Sequence, residues 1–173
     1  MKKGLAGLLL FGVIAFVACQ KSTVTPTVYQ QFTADSLLIV NYLADNHINA
    51  VAHDSVWYVI SEMGTGAYPT RYNCVSVKYI GTELGAAAPF ETNTDSGLKG
   101  PLKGLISGMQ IGLKRFPNGT KGTLYIPSAL GYGASGKTDN YGAYVVHPNT
   151  VLVFNIELFA LSDYNVLGNY CYE

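Results

Sequence analysis

The sequence carries no excess of either charge: 11 lysines and arginines balance 11 aspartates and glutamates among 173 residues. A nucleic-acid binder needs a basic footprint, and none can be read here, so no nucleic-acid partner is expected. Histidine and cysteine are scarce, with three of each. His47, His53 and His147 stand at no ligand spacing from the cysteines, which points away from a metal site and towards surface or loop positions. Ordinary catalytic constellations are missing as well. Ser135 lacks the glycine two places on that a nucleophile elbow requires. The nearest approach to a carboxylate pair is Glu91 and Asp95, which a solvated loop explains. Gly64-Thr65-Gly66 begins like a nucleotide fingerprint, but Ala67-Tyr68-Pro69 follows where a helix should, so the stretch reads as a turn.

The apolar run Gly4 to Val17 follows Lys2 and Lys3 and is short for a bilayer span. It ends in Phe16-Val17-Ala18-Cys19, which resembles the lipobox of bacterial lipoproteins, with Phe16 where leucine is usual. Residues 1–18 are therefore expected to be a signal peptide and Cys19 the lipidated first residue of the mature chain. An N-terminal anchor helix is the alternative. Removing Lys2 and Lys3 leaves nine basic against 11 acidic residues, a net charge of −2. It also leaves Cys74 and Cys171, which outside the cytoplasm either pair or stay apart. The Thr-rich stretch after Cys19 reads as a tether to residue 32, holding the domain roughly 20 Å from a membrane.

What the chain has in quantity is tyrosine, at 13, and glycine, at 19, within a composition that is 49% hydrophobic. That favours one domain of strands joined by turns. Thr33 to Ile48 predicts a helix capped at Thr33 or Asp35, with Leu38, Ile39, Tyr42 and Leu43 as its apolar stripe. Val56 to Ile60 reads as a buried strand, and Val75, Val77 and Tyr79 alternate as the inner face of another. Leu105, Ile106, Met109 and Leu113 fall at helical offsets. Leu124 and Ile126 alternate in a third strand, and Leu152, Phe154, Ile156 and Leu158 in a fourth. The order strand, strand, short helix, strand, strand predicts an α+β class with an antiparallel sheet. About twenty residues without periodicity separate Ile126 from Val151, and loops of that length are usually functional or disordered.

Any site is therefore aromatic and apolar, with Tyr79, Phe90, Ile106, Met109, Tyr132, Val146 and Phe154 as candidate walls. The bare pattern equally allows all of them to be core. Tyr132 stands apart, because Gly131 and Gly133 give it a loop's neighbours. From about Val56 to Leu161 the chain resembles the FKBP-type peptidyl-prolyl cis-trans isomerases, most of all lipoprotein members from bacteroidete-type bacteria. The matching pieces are VSVKYIG, PFETN, LISGMQIGL, TLYIPSALGYGASG and HPNTVLVFNIEL, in the family's order and near its spacing.

The resemblance implies a bent antiparallel half-barrel wrapped around a short helix, in a domain spanning 55–162. A helical lead-in at 33–54 precedes it and a C-terminal tail at 163–173 follows. It implies Tyr79, Phe90, Glu91, Tyr132 and Phe154 as catalytic residues, and Leu105, Ile106, Met109, Val145 and Val146 as substrate-binding ones. The Ile106 backbone N–H and the Tyr132 hydroxyl become donors to a prolyl peptide. No cofactor is implied. Partners would be proline-containing polypeptides and, weakly, macrolide inhibitors, at a lipid-anchored address in the cell envelope, at the outer membrane. Three departures bear on efficiency: Met109 stands where tryptophan is usual, Glu91 where aspartate is, and Ser96-Gly97-Leu98 where a further wall aromatic is. A low-turnover chaperone on the same fold, or a docking scaffold, are the competing readings.

Overall fold

The computed structural model describes residues 26–165 and 170–171, the side chains of 164, 165 and 170 excepted. The signal-peptide and lipidation readings at 1–18 and Cys19 lie outside the described residues. The first element is α1, Val28–Asp45. Thr27 caps it through a reciprocal box: Gln30 N–H donates to the Thr27 hydroxyl at 3.2 Å and Thr27 N–H to Gln30 Oε1 at 2.9 Å. The cap therefore falls earlier than the Thr33 or Asp35 expected from sequence, and residues 28–32 are helix, not tether. Its end is a Schellman closure, with His47 at φ 54° and the Ile48 N–H reaching back to Leu43 O at 2.8 Å. Ile39 and Leu43 are buried as expected, but Leu38 is 53% exposed, and position 35 completes the buried stripe instead.

Nine strands follow among the described residues: β1 Val51–His53, β2 Val56–Glu62, β3 Asn73–Glu83, β4 Glu91–Pro101, β5 Lys121–Ile126, β6 Lys137–Thr138, β7 Tyr144–Val146, β8 Leu152–Asn165 and β9 Tyr170–Cys171. The lead-in 33–54 thus ends in a strand rather than a helix. The main sheet runs β1-β2-β5-β8-β3-β4, with β9 on β8 and every pair antiparallel.

Period-2 alternation sorts this sheet into two faces. Val56, Leu124, Ile126, Leu152, Phe154, Ile156, Leu158, Val75, Val77 and Tyr79 join Met109, Leu113 and Phe116 in one core. Tyr125 and Val151 join Ile39 and Leu43 of α1 in a second, with Trp57, Val59 and Val153 packed around them. The helix opposite α1, α2, spans Ser107–Leu113, while Leu105 and Ile106 lead into it in extended conformation. Gly108 and Gly112 set how closely it approaches β5: a Cβ at 108 would fall within the Ile126 side chain, and one at 112 would lie 2.5 Å from Leu124.

Strand β4 was not expected. Its sequence, ETNTDSGLKGP, has no apolar alternation because it is an edge strand paired only to β3, with most of its side chains open to solvent. Residues 163–173 are not simply a tail: β8 continues to Asn165, and β9 returns against it. Cys171 is thereby disulfide-bonded to Cys74 of β3, with 5.7 Å between Cα atoms and 97 residues of sequence separation.

A cross-link closing so long a loop restricts the unfolded chain and is worth about 2–4 kcal/mol. Reductant is therefore expected to lower the urea midpoint of the wild type. Cys171→Ala should sit at the reduced midpoint and not respond to reductant. Equal midpoints for oxidised and reduced protein would mean the bond contributes nothing.

Candidate functional site

A cavity of about 310 Å³ opens between the start of α2 and the inner face of the sheet. Tyr79 of β3 and Phe154 of β8 form its back wall, Leu98 of β4 one side, Leu105, Ile106 and Met109 the α2 side, and Tyr132 and Lys137 the loop side. Met109 is 5% exposed, so only a small part of it meets the cavity. A hollow of about 360 Å³ on the sheet's other side lies among Lys78, Thr94, Lys121, Asn155 and Glu157. It is larger but shallow and mostly polar-rimmed; the aromatic cavity is the one with convergent apolar walls.

The aromatic wall is rigid because its rings meet edge to face. Phe154 lies 5.7 Å from Phe90 at 87° and 5.8 Å from Tyr79 at 65°, and Phe90 lies 6.5 Å from Tyr132 at 87°. Such pairs are worth about 0.5–1.5 kcal/mol each beyond the area they bury. Tyr132 sits between two 3-10 turns, Ser128–Leu130 and Gly133–Ser135. Gly133 takes φ 59°, which a side chain would resist, and its carbonyl accepts from Asn149 N–H at 2.8 Å. Ile106 stands at the N-cap of α2, and among the described residues nothing accepts from its backbone N–H.

One polar strap crosses the rim. Glu91 accepts from the Tyr79 hydroxyl at 2.7 Å and from Lys137 Nζ at 2.8 Å, and that ammonium lies 5.6 Å from the centre of the Tyr132 ring. Burial, and then the bond to Glu91, push the Tyr79 phenol well up, so it remains a protonated donor. Desolvation would raise Glu91, but hydrogen bonds from Lys137 and Tyr79 outweigh it and hold the carboxyl below its usual value. Lys137 is raised: burial opposes its charge, and Glu91 and Tyr132 more than restore it.

The fold thus gathers Tyr79, Glu91, Leu105, Ile106, Met109, Tyr132 and Phe154 around one cavity. Phe90 stands behind the wall, packed on Tyr132 and Phe154. Val145 and Val146 do not line it. Val146 is buried in the main core and pairs with Lys137 across the β6–β7 ladder, and Lys137 takes the loop-side position expected of the valines. Lys137 was not singled out from sequence, because a lone cation after Ser135-Gly136 looks like a solvated loop charge until Glu91 is seen opposite. Leu98 fills the place noted for a missing aromatic.

A half-barrel sheet around a short helix, with an aromatic cavity between them, defines a class that comparison with known proteins makes specific. Residues 66–159 match the family described as FKBP-type peptidyl-prolyl cis-trans isomerase. The chain belongs to that family. It is 37% identical over 106 residues to the FKBP-type isomerase FkpA of Aeromonas hydrophila, an alignment covering 60% of this chain and 37% of that protein. Against FkpA of Escherichia coli K12 it is 35% identical over 103 residues, covering 58% and 36%. The chain therefore spans little more than a third of these curated relatives. A crystal structure of a peptidyl-prolyl cis-trans isomerase from Pseudomonas syringae pv. tomato superposes with TM-score 0.65 at 29% identity, covering 81% of this chain and 99% of that one. The crystal structure of E. coli FkpA gives 0.62 at 25% identity, covering 78% and 62%.

The strap predicts a pH dependence. A lowered Glu91 stabilises the fold above the ordinary glutamate value of about 4.3 and loses this as pH falls through its own lower value. A raised Lys137 contributes below about 10.4 and loses it as pH rises through its higher value. Both side chains are about a third exposed, so the pair is worth about 0–1 kcal/mol. Urea unfolding of wild type and Glu91→Gln should differ by that amount across neutral pH and converge in acid. A difference that persists below the lowered value would assign the effect to something other than the ion pair.

Proposed function

We propose that this chain is a peptidyl-prolyl cis-trans isomerase acting on exported polypeptides from a lipid anchor at Cys19. The observation that carries the reading is the aromatic cavity with two donors near it, the Ile106 N–H, which has no acceptor among the described residues, and the Tyr132 hydroxyl on the loop side. Rotation about a peptide bond meets a barrier of about 18–20 kcal/mol from amide resonance. X-Pro bonds consequently exchange over about 10–100 s at 25 °C. Resonance puts negative charge on the carbonyl oxygen, which water stabilises in the planar ground state. Transfer into walls formed by Tyr79, Phe154 and Met109 removes that water and favours the less polar twisted state. Ile106 N–H and Tyr132 then hold the flanking carbonyls while the bond turns. Rotation makes and breaks no covalent bond, so the step asks for no nucleophile and no cofactor.

Two lining residues favour a second reading, a holding chaperone with low turnover. Met109 and Leu98 are flexible aliphatic surfaces, and they grip a proline ring less firmly than aromatic faces do. Modest activity and weak macrolide binding are consistent with either reading, and turnover decides between them. In a protease-coupled proline-peptide assay, Tyr132→Phe should lose two- to tenfold in kcat/KM with its melting temperature retained. That matches one hydrogen bond of about 0.5–1.5 kcal/mol. Wild-type protein that suppresses aggregation without accelerating isomerisation would establish the chaperone instead.

The proposed address is the cell envelope, at the outer membrane. Lipidation contributes about 0.8 kcal/mol per buried CH₂, and two or more chains give stable anchoring. Cys19→Ala should therefore move the protein from the membrane to the soluble fraction with its activity intact. Retention in the membrane would instead point to an uncleaved anchor helix.

A further inference from the structure

The family match begins at residue 66, so α1 lies outside it. Yet the most buried polar side chain of α1 is turned to the loop that carries Tyr132. Asp35 is 2% exposed and Ser128 1%. Asp35 Oδ2 accepts from the Ser128 N–H at 2.8 Å and from its hydroxyl at 2.5 Å. Its other oxygen accepts from Gln31 Nε2 at 2.7 Å, and the same nitrogen reaches the Asn149 carbonyl at 3.4 Å. The Asn149 N–H in turn holds the carbonyl of Gly133, the residue after Tyr132. Two side chains one helical turn apart therefore grip the loop at both ends, at Ser128 before Tyr132 and at Asn149 beyond it.

Attaching α1 to the sheet does not require this arrangement. Ile39 and Leu43 already bury against Tyr125 and Val151, and burying a carboxyl costs free energy that an apolar residue would not incur. What lacks support of its own is the loop. Between Ile126 and Lys137 it has no strand ladder, only two 3-10 turns and two glycines at positive φ, Gly133 and Gly136. A donor on such a segment keeps its aim only if the segment is held from outside, because hydrogen bonds weaken steeply with misalignment.

We propose that Asp35, with Gln31, is a positioning residue for the isomerase site, fixing the loop so that the Tyr132 hydroxyl meets the substrate carbonyl. The lead-in helix is then a working part of the catalytic unit. This rests on the isomerase reading above.

The test is a double-mutant cycle on the full chain: wild type, Asp35→Ala, Tyr132→Phe and the double variant. kcat and KM come from the proline-peptide assay well below each melting temperature, and amide hydrogen exchange is followed over residues 128–136. Asp35→Ala should lose about two- to tenfold in kcat/KM, no more than Tyr132→Phe loses. In the Tyr132→Phe background it should cost less than about twofold further, because both changes act through one hydroxyl. Its effect on melting temperature should be the same in both backgrounds, and exchange should quicken at 128–136 but not in β8. If Asp35→Ala does not fold, Ser128→Ala takes its place in the cycle, deleting one hydroxyl and leaving α1 intact. Multiplicative losses in the double variant, or a lowered melting temperature with unchanged kcat/KM, would overturn the proposal while leaving the isomerase reading standing. An inactive wild type would remove both.

Discussion

The pleat of β8 is the constraint on which the rest depends. This strand is paired on one side with β5 and on the other with β3, so its register is fixed twice over. Leu152, Phe154, Ile156 and Leu158 consequently face α2, while Val153, with Val151 just before the strand, faces α1. A slip of one residue would send Phe154 to the wrong side and remove the cavity wall while leaving the strand formed. Because two helices compete for the two faces of one strand, each has to accept what the pleat offers. The glycines of α2 let it come close enough to close the cavity, and α1 covers the remaining apolar face.

Within the cavity, apolar walls and a charged strap coexist because each carboxyl oxygen of Glu91 has a donor. An unpaired carboxylate beside Phe90 would cost far more than the ion pair returns. The strap also links two elements distant in sequence, the start of β4 and the β6–β7 hairpin. It does so where glutamate, one methylene longer than aspartate, spans the gap to Lys137. The loop side of the site is thus held from the sheet by Glu91 and from α1 by Asp35, which act at separate points along it.

Much of this was legible in the sequence. Alternation identified the inner faces of β3, β5 and β8, because each has one buried face and the side-chain period is fixed by the backbone. Helical spacing found Met109 and Leu113 of α2, but Leu105 and Ile106, expected on the same face, precede the helix in extended conformation. The glycine setting of Tyr132 marked it as a loop residue, and the motif order supplied the family. These are local signals, written within a dozen residues each.

What only the tertiary structure decided involves partners far apart in the chain. Strand β4 exists because β3 offers it an edge, and its own residues carry no pattern. Asp35 looked like a helix cap, because a carboxylate near a helix start usually is one; Thr27 took that role, and Ser128, 93 residues away, gave Asp35 another. Val146 packs in the core and Lys137 reaches the site because Lys137 pairs with Val146 across the short β6–β7 ladder and meets Glu91 of β4, a partner 46 residues away. Cys74 and Cys171 met because β9 folds back onto β8. Sequence fixes such residues' chemistry, but the register of distant strands decides which of them come into reach.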